Sequence, residues 1–171
     1  MTPADSLPAG LQETLLAVLD AAREICDAHF GNIQLLGEDG RFRLVAQRGF
    51  PDWWIQHWDN RSAQAHGVSA ETLRSEQRIF VEDVQKSPMF SAPADAEAMA
   101  RIDVQAAQST PLRGRSGEVV GLLSTHYRRP CHPDERALKI LDLLAAKLCF
   151  VKLAQLRAKR LQCLCTCDPL S

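Results

Sequence analysis

Asn32-Ile33-Gln34-Leu35-Leu36-Gly37-Glu38-Asp39-Gly40-Arg41-Phe42-Arg43-Leu44-Val45-Ala46-Gln47-Arg48 decides the fold class. Asn32–Leu36 reads as one strand, and Arg41–Arg48 alternates polar and apolar residues as a second. Between them Gly37-Glu38-Asp39-Gly40 supplies a turn, and strands flanking Asp-Gly signal a hairpin. Gly49-Phe50-Pro51 closes the unit. Ahead of the hairpin, Leu11, Leu15, Val18, Ala22 and Ile25 recur at steps of three and four, with charged residues between them. That spacing predicts an amphipathic helix ending near His29–Gly31, with Ser6 as a start signal.

Beyond the hairpin the pattern is less regular. Pro51–Asn60 predicts a short helix bearing Trp53, Trp54 and Trp58, and Val68–Ser75 predicts another. Ile79-Phe80-Val81 has strand character, and Glu82-Asp83 are read as continuing it, with their side chains on opposite faces. Gln85–Pro93 reads as a loop and Ala94–Arg101 as a brief helix. A second hairpin follows, from Val104–Leu112 and Glu118–Tyr127 around Gly114-Arg115-Ser116-Gly117. Pro111 places its strand at an edge, or itself near a strand end. A final helix is expected to open with Pro133 near its first position, Asp134 and Glu135 in its first turn, and to run to about Leu164. At 1.5 Å per residue that is about 45 Å, more than a small sheet needs for cover.

Hairpins with helices at both ends argue an α+β fold. The expectation is a central antiparallel sheet of five or six strands. The N- and C-terminal helices share one face, and the short middle elements roof a pocket on the other. Residues 1–164 are read as one domain and residues 165–171 as a cysteine-containing tail.

The totals exclude some classes. The chain has 171 residues, 46% hydrophobic and 24% charged, with a net charge of -1. That balance argues against nucleic acid as the main partner, because phosphate binding needs a strongly basic surface. No stretch approaches the ~20 apolar residues that cross a bilayer. Asp5, Pro8, Gln12 and Glu13 interrupt the first apolar run, so no secretory leader is read there and the cytoplasm is the expected compartment.

Several pieces in order resemble a bacterial GAF domain. Phe30-Gly31-Asn32-Ile33-Gln34-Leu35, with a hairpin ending Arg48-Gly49-Phe50, is similar to its opening. Val81-Glu82-Asp83-Val84 is similar to its third strand. Gln108-Ser109-Thr110-Pro111-Leu112, then Gly117, Gly121, Leu122, Leu123, Ser124, Thr125 and His126, is similar to its closing strands. Pro133-Asp134-Glu135 leading into a leucine-rich helix is similar to its end. The resemblance covers residues 10–155 and implies a small-molecule sensor, dimeric through its terminal helices, working with a histidine kinase or diguanylate cyclase output. No output domain follows within these residues, and a free-standing sensor is the expectation, the alternative being the sensory end of a longer product.

The resemblance also bears on the ligand, which the residues leave unidentified. Cys131-His132 is similar to the bilin-attaching pair of phytochromes but follows the last strands instead of preceding them, so a helix cap is the favoured reading. The cyclic-nucleotide pattern of the family is missing. So are the mid-chain cysteines of its methionine sulfoxide reductases, and an enzyme is not expected.

The candidate pocket residues are Gln34, Trp54, Gln108, Ser124 and His126. Ser124 and His126 lie two apart and share a strand face, a mix of polar and apolar groups suited to a ligand. His126 resembles by position a histidine bordering the phytochrome chromophore, and its imidazole is also a candidate proton-sensitive donor. The plainer alternative is a strand-end histidine bonded to backbone or water. Gln34 and Gln108 need partners if buried, either a ligand or a neighbouring strand. The tryptophans either line a pocket or anchor a helix to the sheet. Ser124 and His126 lack an acidic orienter, and no phosphate loop is present. Two readings outside small-molecule sensing stay open. One is a docking module with a vestigial pocket. The other is a thiol or metal sensor built on Cys163, Cys165 and Cys167.

Overall fold

The computed structural model describes residues 9–59, 62 and 66–148. The start signal at Ser6, the far half of the last helix and the tail cysteines lie outside them.

Five strands form one antiparallel sheet: β1 (Phe30–Leu36), β2 (Phe42–Arg48), β3 (Ile79–Val81), β4 (Ala106–Arg113) and β5 (Val119–Tyr127), in the order β2-β1-β5-β4-β3. Both predicted hairpins form, and β1 pairs with β5 to join them at the centre. Pro111 lies where β4 pairs only with β5, beyond the three residues of β3, so its missing N–H breaks no ladder on the open side.

The helices are α1 (Ala9–Ile25), α2 (Asp52–Trp58), α3 (Val68–Ser75), α4 (Pro93–Arg101) and α5, described over residues 135–148. α1 and α5 cover one face. Leu11, Leu15, Val18, Leu19, Ala22 and Cys26 of the N-terminal segment pack with Ala137, Leu141, Ala145 and Leu148 over Ile33, Leu112, Leu123 and Tyr127. Burial at this scale is the main source of stability, about 25 cal/mol per Å² of apolar surface removed from water. Ile25, read as part of the apolar stripe, is instead exposed, and Cys26 takes the buried position next to it. α2, α3 and α4 cover the opposite face around Phe30, Leu44, Phe50 and Trp54.

Three local expectations are corrected. β3 ends at Val81, so Glu82-Asp83 do not continue the strand; Asp83 turns back to accept from Gln85 N at 3.0 Å and starts a short 3₁₀ turn. The loop after it holds two such turns, Val84–Lys86 and Pro88–Phe90. Pro133 stands before the last helix, and Asp134 is its cap, accepting from Ala137 N at 2.7 Å.

A bulge bends the first hairpin. Ile33 pairs with Ala46 and Gln34 with Leu44, leaving Val45 over. Val45 and Ala46 therefore both face the helices, while Leu44 faces the roof. Where β1 meets β5, Gly121 lies so close that a Cβ there would stand 2.4 Å from the carbonyl oxygen of Gln34. Gly121→Ala is expected to push these strands apart and cost about 1–3 kcal/mol in urea unfolding, with the slope unchanged. A neutral result would mean that β1 and β5 do not pair in this register.

Candidate functional site

The alternate residues that face away from α1 and α5 build the floor of a cavity: Asn32 and Gln34 on β1, Ala107 on β4, Ser124 and His126 on β5. Trp54 and Trp58 of α2, Val68, Ser69 and Ala70 of α3, Phe90 of the second 3₁₀ turn and Met99 of α4 close it from above. The space open to water centres is about 50 Å³. At ~15 Å³ for each water, that is room for three or four.

Trp54 is backed by an aromatic stack. Phe50 stacks on Trp54 with ring centres 3.6 Å apart and planes 8° apart, and Phe30 stacks on Phe50 at 5.0 Å. His126 meets both Phe50 and Trp54 edge-on, at 5.1 and 5.7 Å. The roof helices are fastened to each other and to the sheet. His57 Nε2 lies 3.0 Å from Asp95 Oδ1, linking α2 to α4. Asp59, just after α2, accepts from Leu44 N at 2.9 Å on the edge strand. Ser69 Oγ donates to Gln34 Oε1 at 3.0 Å, tying α3 to the floor.

Some polar groups on the walls are satisfied and some are not. Ser124 Oγ donates to Ser109 Oγ at 3.0 Å. Asn32 Oδ1, Trp54 Nε1 and His126 Nδ1 are buried without a protein hydrogen-bond partner among the described residues. Native proteins leave few such atoms, because each costs the desolvation of a polar group. Burial also pushes the His126 imidazole down to about 3, so it is neutral near pH 7. The sequence-based idea of a histidine that changes charge near neutral pH is therefore corrected.

Four of the five candidates, Gln34, Trp54, Ser124 and His126, meet around this cavity. Gln108 borders it, but its side chain belongs to the helix face. Its Nε2 donates to Thr125 Oγ1 at 3.0 Å, and its Oε1 accepts from Thr110 Oγ1 at 2.8 Å. Of the other tryptophans, Trp58 joins the cavity and Trp53 lies outside it, under the Arg101 guanidinium at 4.0 Å. Asn32 was not singled out as a site residue, although its spacing of two from Gln34 places both on one strand face. Ser69, Phe90 and Met99 come from elements whose facing residues no periodicity marks.

A five-stranded antiparallel sheet roofed by short helices, with paired outer helices behind it, is the arrangement the resemblance implied, and the model of the family described as "GAF domain" matches residues 8–149. The chain belongs to the GAF family. Solved GAF-type structures share its fold. A domain assigned to a two-component sensor histidine kinase protein from Sinorhizobium meliloti 1021 superposes with a TM-score of 0.73 at 24% identity, covering 92% of this chain and 98% of its own. The GAF domain from an Acinetobacter phosphoenolpyruvate-protein phosphotransferase gives 0.71 at 19% identity, covering 88% and 86%. A type II free methionine-R-sulfoxide reductase from Thermoplasma acidophilum gives 0.65 at 16% identity, covering 82% and 90%. No curated protein matches the chain by sequence.

In this GAF domain the described cysteines lie away from the cavity. Cys26 and Cys131 both pack on the helix side, and burial raises both thiols, Cys26 to about 11. Among the described residues no group of three or more His, Cys, Asp or Glu is placed to hold a metal ion. Cys163, Cys165 and Cys167 lie outside those residues. No described helix is long and apolar enough to cross a membrane.

Proposed function

We propose that this GAF domain is a signal sensor that binds a small molecule non-covalently in the cavity and relays the event through dimeric terminal helices. The observation that carries the reading is a set of buried atoms without a partner among the described residues, Asn32 Oδ1, Trp54 Nε1 and His126 Nδ1, on residues that three different elements bring to one cavity. A ligand that pairs with them removes the desolvation cost and gains aromatic contact with Trp54 and Trp58. Gln34 and Ser124 position the floor; Gln108 acts on the other face.

Arg78 supplies the relay. It stands between α3, whose first residues roof the cavity, and β3. Its Nε donates to Thr110 Oγ1 at 2.9 Å, and its Nη2 donates to Leu138 O at 3.2 Å and to the Asp142 carboxylate on α5. From Thr110 the chain runs through Gln108 and Thr125 to Tyr127, whose hydroxyl lies 2.7 Å from Thr125 Oγ1, beside Cys26 just after α1. A shift of α3 on ligand entry therefore reaches both terminal helices. It transmits a signal only if the ligand binds one helix arrangement better than the other. The output would be a kinase or cyclase. Arg78→Met is expected to leave ligand affinity within about threefold and to abolish the ligand-dependent change in hydrogen exchange along α5, if coupling of ~1–3 kcal/mol passes through this side chain. An unchanged exchange response would remove Arg78 from the relay.

The binding claim is tested by thermal unfolding against a metabolite collection. A ligand at 100 times its Kd stabilises by about 2.7 kcal/mol. The expected hit raises the melting temperature of the wild type and loses most of its effect on Trp54→Phe, which keeps a ring but removes the indole N–H. A collection with no hit, or a hit indifferent to Trp54, Asn32 and His126, would contradict the proposal.

A second reading, a docking module with a vestigial pocket, is favoured by Leu143, a leucine 69% exposed on α5, and by the small volume of the cavity. On that reading Leu143→Glu dissociates the dimer and no small molecule affects the protein.

A further inference from the structure

We infer that the ligand of this cavity is an uncharged molecule presenting both a hydrogen-bond donor and an acceptor, as a primary carboxamide or a lactam does. The inference rests on the cavity being the binding site. Its chemistry follows from what each buried atom left without a partner among the described residues can do. Trp54 Nε1 carries a hydrogen and can only donate, so it requires an acceptor on the ligand. Asn32 Oδ1 can only accept, so it requires a donor. His126 Nδ1 completes the set and takes either role according to its tautomer. An amide group offers both functions in one plane, with the rest of the molecule free to lie against Trp58, Phe90 and Met99.

Charge selects in the same direction. Among the described residues lining the cavity none is Asp, Glu, Lys or Arg. Asn32, Gln34, Ser124 and His126 are all buried, so a carboxylate or ammonium entering there would leave water without a counter-charge from the described residues. Such a transfer is costly unless the ion is paired.

Benzamide, benzoate and benzamidinium share one shape and differ in charge, and 2-pyridone adds a neutral lactam. Each is titrated into the full chain while the indole N–H resonance of Trp54, identified by its loss in Trp54→Phe, is followed by NMR. The expected result is that the two neutral probes shift this resonance, and that benzamide binds roughly tenfold or more tightly than either charged isostere. Trp54→Phe and Asn32→Ala should each weaken benzamide several-fold. If benzoate or benzamidinium binds as well as benzamide, the ligand class is wrong while the cavity stands as the site. If no probe of any charge moves the Trp54 resonance, the inference fails together with the binding reading beneath it.

Discussion

Trp54→Ala is expected to destabilise the domain by about 3–5 kcal/mol, the range for removing a large buried aromatic side chain. The side chain is 2% exposed and stacks on Phe50, which in turn stacks on Phe30. It also meets the edge of His126 and the tilted ring of Trp58, so its removal empties the junction of α2 with the sheet. Native domains are stable by only about 5–15 kcal/mol, so this variant should be partly unfolded at moderate temperature. Trp54→Phe should lose much less, because a ring remains to fill the stack. Urea unfolding of both variants measures the difference. A loss below about 1 kcal/mol for Trp54→Ala would show that the ring is not packed as described.

The second large effect is acid sensitivity between pH 6.5 and about 3. Burial lowers the His126 imidazole from its ordinary value to about 3. Below pH 6.5 the unfolded chain takes up a proton at this residue and the folded domain does not. The contribution is therefore fully present above pH 6.5 and is lost as the pH falls toward about 3. In that window the slope approaches 1.4 kcal/mol per pH unit. Asp20, held low first by its hydrogen bond to Arg48, adds a loss of the same sign only below its ordinary value near 4. His126→Gln should flatten the profile from pH 6.5 to about 3, leaving the loss that carboxylates such as Asp20 add below about 4. Equal slopes in wild type and variant, from urea unfolding at each pH, would mean that the imidazole is solvated. Because the slope belongs to a neutral, buried His126, the same experiment tests the view of the site as an uncharged cavity.

Both hairpins were legible because turn residues at Asp39-Gly40 and Gly114–Gly117 separate segments of clear strand composition. α3 was legible at about Val68–Ser75, the range the structure gives. The bulge at Val45 was not, although the run Leu44-Val45-Ala46 interrupts the alternation at that point. Asp83 was read into the strand it follows and Asp134 into the helix it caps, because a capping carboxylate has the same local signature as one inside a neighbouring element.

The site was legible in its strands and less so in its roof. The step of two from Ser124 to His126 put them on one face, and the cavity is on that face. For Gln108 the same logic was insufficient. The central strands carry polar groups on both faces, with Thr110 and Thr125 on one and Ser109 and Ser124 on the other. Alternation separates the two sets without saying which one meets a ligand. Only the packing of α1 and α5 against Leu123 and Tyr127 decides it. The roof residues Ser69, Phe90 and Met99 reach the cavity through tertiary contacts between short elements, which no spacing rule encodes.

The central claim, that the cavity binds a small molecule and holds it without a covalent bond, is tested most directly by native mass spectrometry. The full chain purified from its own cells is weighed intact and again after denaturation. The account predicts an excess mass per subunit in the native spectrum that disappears on denaturation and is absent from the Asn32→Ala, Trp54→Phe double variant. An excess that survives denaturation, or one that the double variant retains unchanged, would contradict it.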